Sequence, residues 1–151
     1  MSTLDLRNAN LKGFDALPSG TYDATVFEVN DVETENQDGK LPVGTPGINI
    51  QFKVNGGEYD NRRVFTRYWF APADYDPSKK SQMDGMIARF LLAVGFTEEA
   101  ITSGKFKLVN DELLGRDCRV TVQKYVYDGI ERNRVTAVRP AGQNAEDAGI
   151  L

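Results

Sequence analysis

The sequence predicts a mainly-β fold: five strands, with one substantial helix between the third and the fourth. Three observations predict it. Apolar residues alternate at period two through most of the chain, whereas only residues 78–94 carry them at the 3- and 4-residue spacing of a helix face. Clusters of Gly, Pro, Asn and Asp separate these stretches where the chain must turn. A length of 151 residues with a hydrophobic fraction of 40% suits one domain with a packed core.

Residues 1–17 show no clean period and end at Leu17-Pro18-Ser19-Gly20, a turn signal, so they read as an N-terminal arm. The first strand runs from Gly20 to Val32. Its apolar alternation starts on Tyr22, Ala24 and Val26 and then moves to Phe27 and Val29, a parity slip that predicts a bulge near Val26. Residues 31–47 read as a long, acidic, mobile loop. Its Gly39-Lys40 pair is no phosphate-binding loop, because the upstream glycine is missing and Leu41 stands where Ser or Thr is needed.

The second strand turns Ile48, Ile50, Phe52 and Val54 inward and Asn49, Gln51 and Lys53 outward, and Asn55-Gly56-Gly57 turns the chain into the third strand at residues 62–70. The helix, Ser78 to Val94, carries Met83, Met86, Ile87, Phe90, Leu91 and Val94 on one stripe, and Gly95 ends it. Thr97 caps a short helical turn through Ile101, and an irregular linker leads to Leu114-Gly115. The fourth strand, Arg116 to Tyr127, points Cys118, Val120, Val122 and Val126 inward and Arg119, Thr121, Gln123, Tyr125 and Tyr127 outward, with Lys124 at a rim. Asp128-Gly129 makes a tight turn into the fifth strand, Ile130 to Arg139, whose two parities both carry apolar residues. Pro140 stops it, and residues 140–151 read as a disordered tail, leaving 18–139 as the folded domain.

This order of elements is that of the five-stranded Greek-key barrel called the OB-fold, with the helix between strands 3 and 4; a β-sandwich with a packed helix is the alternative. The third strand carries the chemistry. Alternation puts Val64, Thr66, Tyr68 and Phe70 on one face and Arg63, Phe65, Arg67 and Trp69 on the other. Guanidinium alternating with aromatic ring suits a flexible polyanion with stackable bases. Phe65 and Trp69 are the expected stacking platforms, Tyr125 and Tyr127 secondary ones, and Arg63, Arg67, Arg119 and Arg132 the phosphate contacts, with Lys53 beside them on the second strand. The expected ligand is single-stranded nucleic acid, bound irrespective of sequence.

The net charge of −4 runs against such a partner, but the charge is segregated. Asp23, Glu28, Asp31, Glu33, Glu35 and Asp38 crowd one stretch, while Arg116, Arg119, Lys124, Arg132, Arg134 and Arg139 crowd another. A local positive groove on an acidic protein implies modest, salt-sensitive affinity. A competing expectation is a non-catalytic protein-interaction or dimerisation module using the same outward aromatics. An enzyme is not expected: with no His, proton transfer near neutral pH lacks its usual carrier. No cofactor or metal is implied, and Asp74 and Asp76 read as a solvated loop pair. The single Cys118 reads as a buried structural thiol. No apolar run approaches the roughly 18 residues of a membrane span and no leader precedes the domain, so the expected location is the cytoplasm.

Leu17-Pro18-Ser19-Gly20-Thr21-Tyr22-Asp23-Ala24, then Gly57-Glu58-Tyr59-Asp60-Asn61-Arg62-Arg63-Val64-Phe65, Leu114-Gly115-Arg116 and Asn133 carry a resemblance. Over residues 17–139 the chain resembles a family of small phage-encoded proteins of replication and recombination gene clusters, and the wider class of phage single-stranded DNA-binding proteins. That resemblance implies an OB-fold, single-stranded DNA as ligand, the cytoplasm of an infected bacterium, and phage or host replication and recombination proteins as partners. In the wider class an acidic tail with an aromatic end recruits those partners. Here Glu146 and Asp147 precede an aliphatic end, a departure from that pattern.

Overall fold

A computed structural model describes residues 16–35 and 41–142, together with Thr3. The described residues fold into one antiparallel five-stranded sheet with three helices, in the order β1 (Gly20–Glu33), β2 (Pro46–Val54), β3 (Arg63–Trp69), α1 (Pro77–Ala93), α2 (Glu98–Thr102), α3 (Asn110–Leu113), β4 (Asp117–Tyr127) and β5 (Ile130–Pro140). Across the sheet the strands lie β3-β2-β1-β4-β5. The fold is therefore mainly β, with the main helix between the third and fourth strands, and a single sheet rather than a two-sheet sandwich.

The expected closure into a barrel is not reached. β3 and β5 approach one another as the sheet curls, but no ladder joins them. α1 packs on both edges, and a cleft of about 310 Å³ between them is lined by Tyr68 of β3, Met86, Arg89 and Phe90 of α1, and Val135 and Val138 of β5.

The concave face holds the core. Ala24 and Val26 of β1, Ile48, Ile50, Phe52 and Val54 of β2, Val64 and Tyr68 of β3, and Cys118, Val120 and Val122 of β4 are all buried, each at the alternation its strand imposes. α1 docks through Phe90, whose ring meets Tyr68 at 5.2 Å and the edge of Phe52 at 6.2 Å. Asp76 caps that helix, its carboxylate accepting the Lys79 amide at 3.0 Å, so one member of the expected loop pair has a structural task. Thr97 caps α2 as the sequence predicts, accepting from the Ala100 amide at 3.1 Å. The linker expected to be irregular contains α3, which buries Leu113.

The predicted slip in β1 is a bulge between Val26 and Glu28. It returns Val29 to the inner face opposite Ile50 and leaves Phe27, the inserted residue, half exposed. A second bulge, between Thr121 and Val122 where β4 meets β5, settles the fifth strand: Val135 and Val138 pair with the buried Val122 and Val120 and pack against the core. Val126, expected inward, is 65% exposed, because β4 and β5 run past the end of β1 and no third strand lies beneath them. Asp128 and Gly129 both have positive φ and close that hairpin.

The segment 31–47, expected to be a loop, is partly strand. β1 continues to Glu33 and β2 begins at Pro46. Thr34 and Thr45 exchange backbone and side-chain hydrogen bonds across the neck, and the Thr45 hydroxyl donates to the Pro42 carbonyl at 2.6 Å. Residues 36–40 of that loop, residues 143–151 of the expected tail, and most of the expected arm lie outside the described residues. Leu17, the arm's last residue, is buried in the core. Its amide donates to the Asn133 side-chain oxygen and its carbonyl accepts from the Asn133 side-chain amide, both at 2.9 Å.

Candidate functional site

The convex face of β1, β2 and β3 carries the side chains that alternation sends away from the core. Register sets them in rows: Trp69 opposite Gly47, Arg67 opposite Asn49, Phe65 opposite Gln51 and Arg63 opposite Lys53. The third strand is oriented as the sequence predicts, with Val64 and Tyr68 buried and the Phe65 ring 52% exposed. The bulge adds Phe27, over whose ring the Arg63 guanidinium lies at 4.1 Å. Arg67 Nε donates to Asn49 Oδ1 at 3.2 Å, which holds its guanidinium over the sheet. Trp69 covers Gly47 so closely that a methyl group added there would lie 2.5 Å from the indole. The outward positions of these rows therefore combine three rings with Lys53, Arg63 and Arg67, against the one carboxylate of Glu28 opposite Gln51.

At the Trp69 end a cavity of about 1100 Å³ opens between this face and the neck joining β1 to β2. Val32, Leu41 and Val43 form apolar wall, Trp69 and Arg67 lie on the sheet side, and Asp31, Glu33 and Glu35 supply carboxylates. Asp31 is tied elsewhere, accepting from the Asn110 side-chain amide at 2.8 Å.

Arg119, Tyr125, Tyr127 and Arg132 share the convex side of β4 and β5, but the structure sets them apart from the first group. Tyr125 lies eight residues along β4 from Asp117, which pairs with Thr25 of β1; at about 3.3 Å per residue that is roughly 26 Å. Arg119 stands between the two groups in an ion pair with Asp23 at 3.0 Å, its side chain only 20% exposed. At the hairpin, Arg134 lies over Tyr125 at 4.6 Å and Arg132 over Tyr127 at 5.6 Å, a two-step ladder of cations on rings. Sequence reading missed Phe27 and Arg134. The parity slip marks the first, because an inserted residue must leave the core face, whereas Arg134 needed the register of β5.

Within the core, burial pushes the Cys118 thiol up to about 12, with Asp117 adding to the shift, so the sulfur stays protonated at neutral pH. Burial likewise pushes the Tyr68 phenol up to about 12. Neither group is a nucleophile in that state.

Over residues 4–149 the chain matches the model of a family described as protein of unknown function, DUF669. No curated protein matches it.

Proposed function

The chain belongs to the DUF669 family, a membership that brings no activity with it, and we propose from the geometry of the convex face that it binds single-stranded DNA, largely irrespective of sequence. One observation carries the reading: Phe65, Trp69 and Phe27 present ring surface on the same outward face as Lys53, Arg63 and Arg67. Rings at this spacing stack on successive bases, while ammonium and guanidinium groups meet the phosphates between them. The hairpin ladder of Tyr125, Tyr127, Arg132 and Arg134 extends the path as a second contact; Arg119, held by Asp23, contributes least.

The strand order supports this. β3-β2-β1-β4-β5 is the order of an OB-fold barrel opened between its third and fifth strands, and in that fold the strand 2–3 face takes nucleic acid. A place among phage replication or recombination proteins, inside the infected bacterium, rests on the resemblance of the Leu17–Ala24 and Gly57–Phe65 segments.

Fluorescence anisotropy with labelled single-stranded DNA, duplex DNA and RNA tests the reading. Binding is expected for the single strand, and three phosphate contacts at about 0.7 each give a log–log salt slope near −2. Equal binding of duplex, or no binding at low salt, would sink it. A non-catalytic protein-docking role has one observation behind it, the exposure of Val126, Tyr127 and Ile130 at the hairpin tip. Light scattering reads it directly: self-association that Val126→Ser abolishes would favour docking over DNA.

A further inference from the structure

Two routes over the surface link the outward rings and cations of β2 and β3 to those of the β4–β5 hairpin. The first crosses β1 and β4, whose ladder pairs Thr21 with Thr121, Asp23 with Arg119 and Thr25 with Asp117 on the convex side. That ground carries two carboxylates against one guanidinium, and Asp23 holds the guanidinium at 3.0 Å. A polyanion gains nothing by lying there.

The second route crosses the open seam between β3 and β5. Thr66 and Tyr68 line the cleft on one side and Val135–Arg139 on the other, with Arg89 of α1, and no Asp or Glu is among the described residues that line it. Alternation turns Arg67, between Thr66 and the buried Tyr68, to the convex side. On β5 the same side takes Arg139 opposite Arg119 and Ala137 opposite Thr121, then, past the bulge, Arg134 opposite Gln123 and Arg132 opposite Tyr125. The convex parity of β5 therefore presents three guanidiniums and no carboxylate, and it leads to the rings of the hairpin. Among the described residues Arg139 makes no ion pair, whereas Arg119 does.

We propose that the bound single strand crosses from β3 to β5 over this seam, with Arg139 taking the phosphate beside the crossing and Arg134 and Arg132 those that follow towards Tyr125 and Tyr127. The inference rests on the single-strand reading above and gives it a path. The strand leaves the β2–β3 face at Arg67 and bypasses the carboxylates of β1 and β4. Arg139, which belongs to neither group of rings, becomes the contact that joins them.

The test is Arg139→Gln, which removes a charge from the seam route alone. Lys105→Gln, between α2 and α3, removes the same charge from a segment on neither route and controls for general electrostatics. Anisotropy is followed against salt with oligo-dT of about 6 and about 15 nucleotides, within the roughly 4–16 that one OB-type fold holds. In wild-type protein the longer oligomer is expected to show a log–log slope steeper than the shorter one's value of about −2, by about 0.7 for each phosphate met on β5. Arg139→Gln should take about 0.7 from the slope of the longer oligomer and weaken its binding several-fold at low salt. The shorter oligomer should be unaffected, and Lys105→Gln should leave both slopes as they are. A longer-oligomer slope that survives Arg139→Gln would overturn the route and leave single-strand binding standing. Equal losses on the two oligomers, with melting temperature unchanged, would also overturn it, by placing Arg139 with the β2–β3 contacts and not past them. Failure of wild-type protein to bind either oligomer would remove the single-strand reading and the route together.

Discussion

Trp69 owes its position to Gly47. The two residues face one another across β2 and β3, and the absence of a side chain at Gly47 lets the indole lie against backbone, its outer surface turned to the cavity. Removing the ring in Trp69→Ala should weaken single-strand binding roughly 5- to 150-fold, the range for one stacking platform, with thermal stability little changed; anisotropy and a melting curve read the two together. Gly47→Ala acts from the other side. Its new methyl would sit 2.5 Å from both the indole and the Tyr68 carbonyl oxygen, and because the second of these is backbone, relief requires β3 to move. The expected cost is about 1–3 kcal/mol in urea unfolding, with loss of binding besides. Asn133 shows how a polar residue acts through pairing alone. It holds the amide and carbonyl of Leu17 as a neighbouring strand would, so Asn133→Ala should destabilise by about 1–3 kcal/mol by leaving those groups without partners.

Each element of the sheet does two jobs, closing the core with one parity and presenting chemistry with the other. β3 is the clearest case, its seven residues split between buried Val64 and Tyr68 and the outward Phe65 and Arg67. β1 manages the same division over fourteen residues only because its bulge resets parity halfway, letting the first half pair with β4 and the second with β2. The helix is held chiefly by Phe90 between Tyr68 and Phe52. Phe90→Ala should cost about 3–5 kcal/mol by opening a void at that junction, and chemical denaturation measures it. Met86, on the stripe expected to face the sheet, is instead 49% exposed: α1 lies over the seam between β3 and β5 and presents less of its face than a flat sheet would cover.

At the scale of the whole molecule, the core is set up to fail in alkali. Cys118 and Tyr68 have folded values of about 12, above their ordinary 9.0 and 10.0, so the unfolded chain loses their protons first. Both groups therefore contribute stability that is complete below about pH 9 and is lost as pH rises towards 12. Melting temperature should fall across that window, and less steeply in Cys118→Ala than in wild type. The convex face depends on distribution rather than sum: a chain of net charge −4 gathers Lys53, Arg63 and Arg67 on the outward parity of the β2–β3 hairpin, where Lys53 and Arg63 face one another. Period and local turn chemistry along the chain determined by themselves the five strands, the bulge near Val26, the main helix over residues 78–94, the Thr97 cap and the outward set on β3, whereas the cap at Asp76 did not show in the sequence reading. Only the tertiary structure decided the rest. Whether the sheet closes, that Phe27 joins Arg63, that Arg119 is taken by Asp23, and that Tyr125 stands roughly 26 Å away along β4 with Tyr127 beyond it all depend on which strands become neighbours and how far each overruns the next. Local alternation carries no record of that pairing, because it is chosen by contacts between residues far apart in the chain.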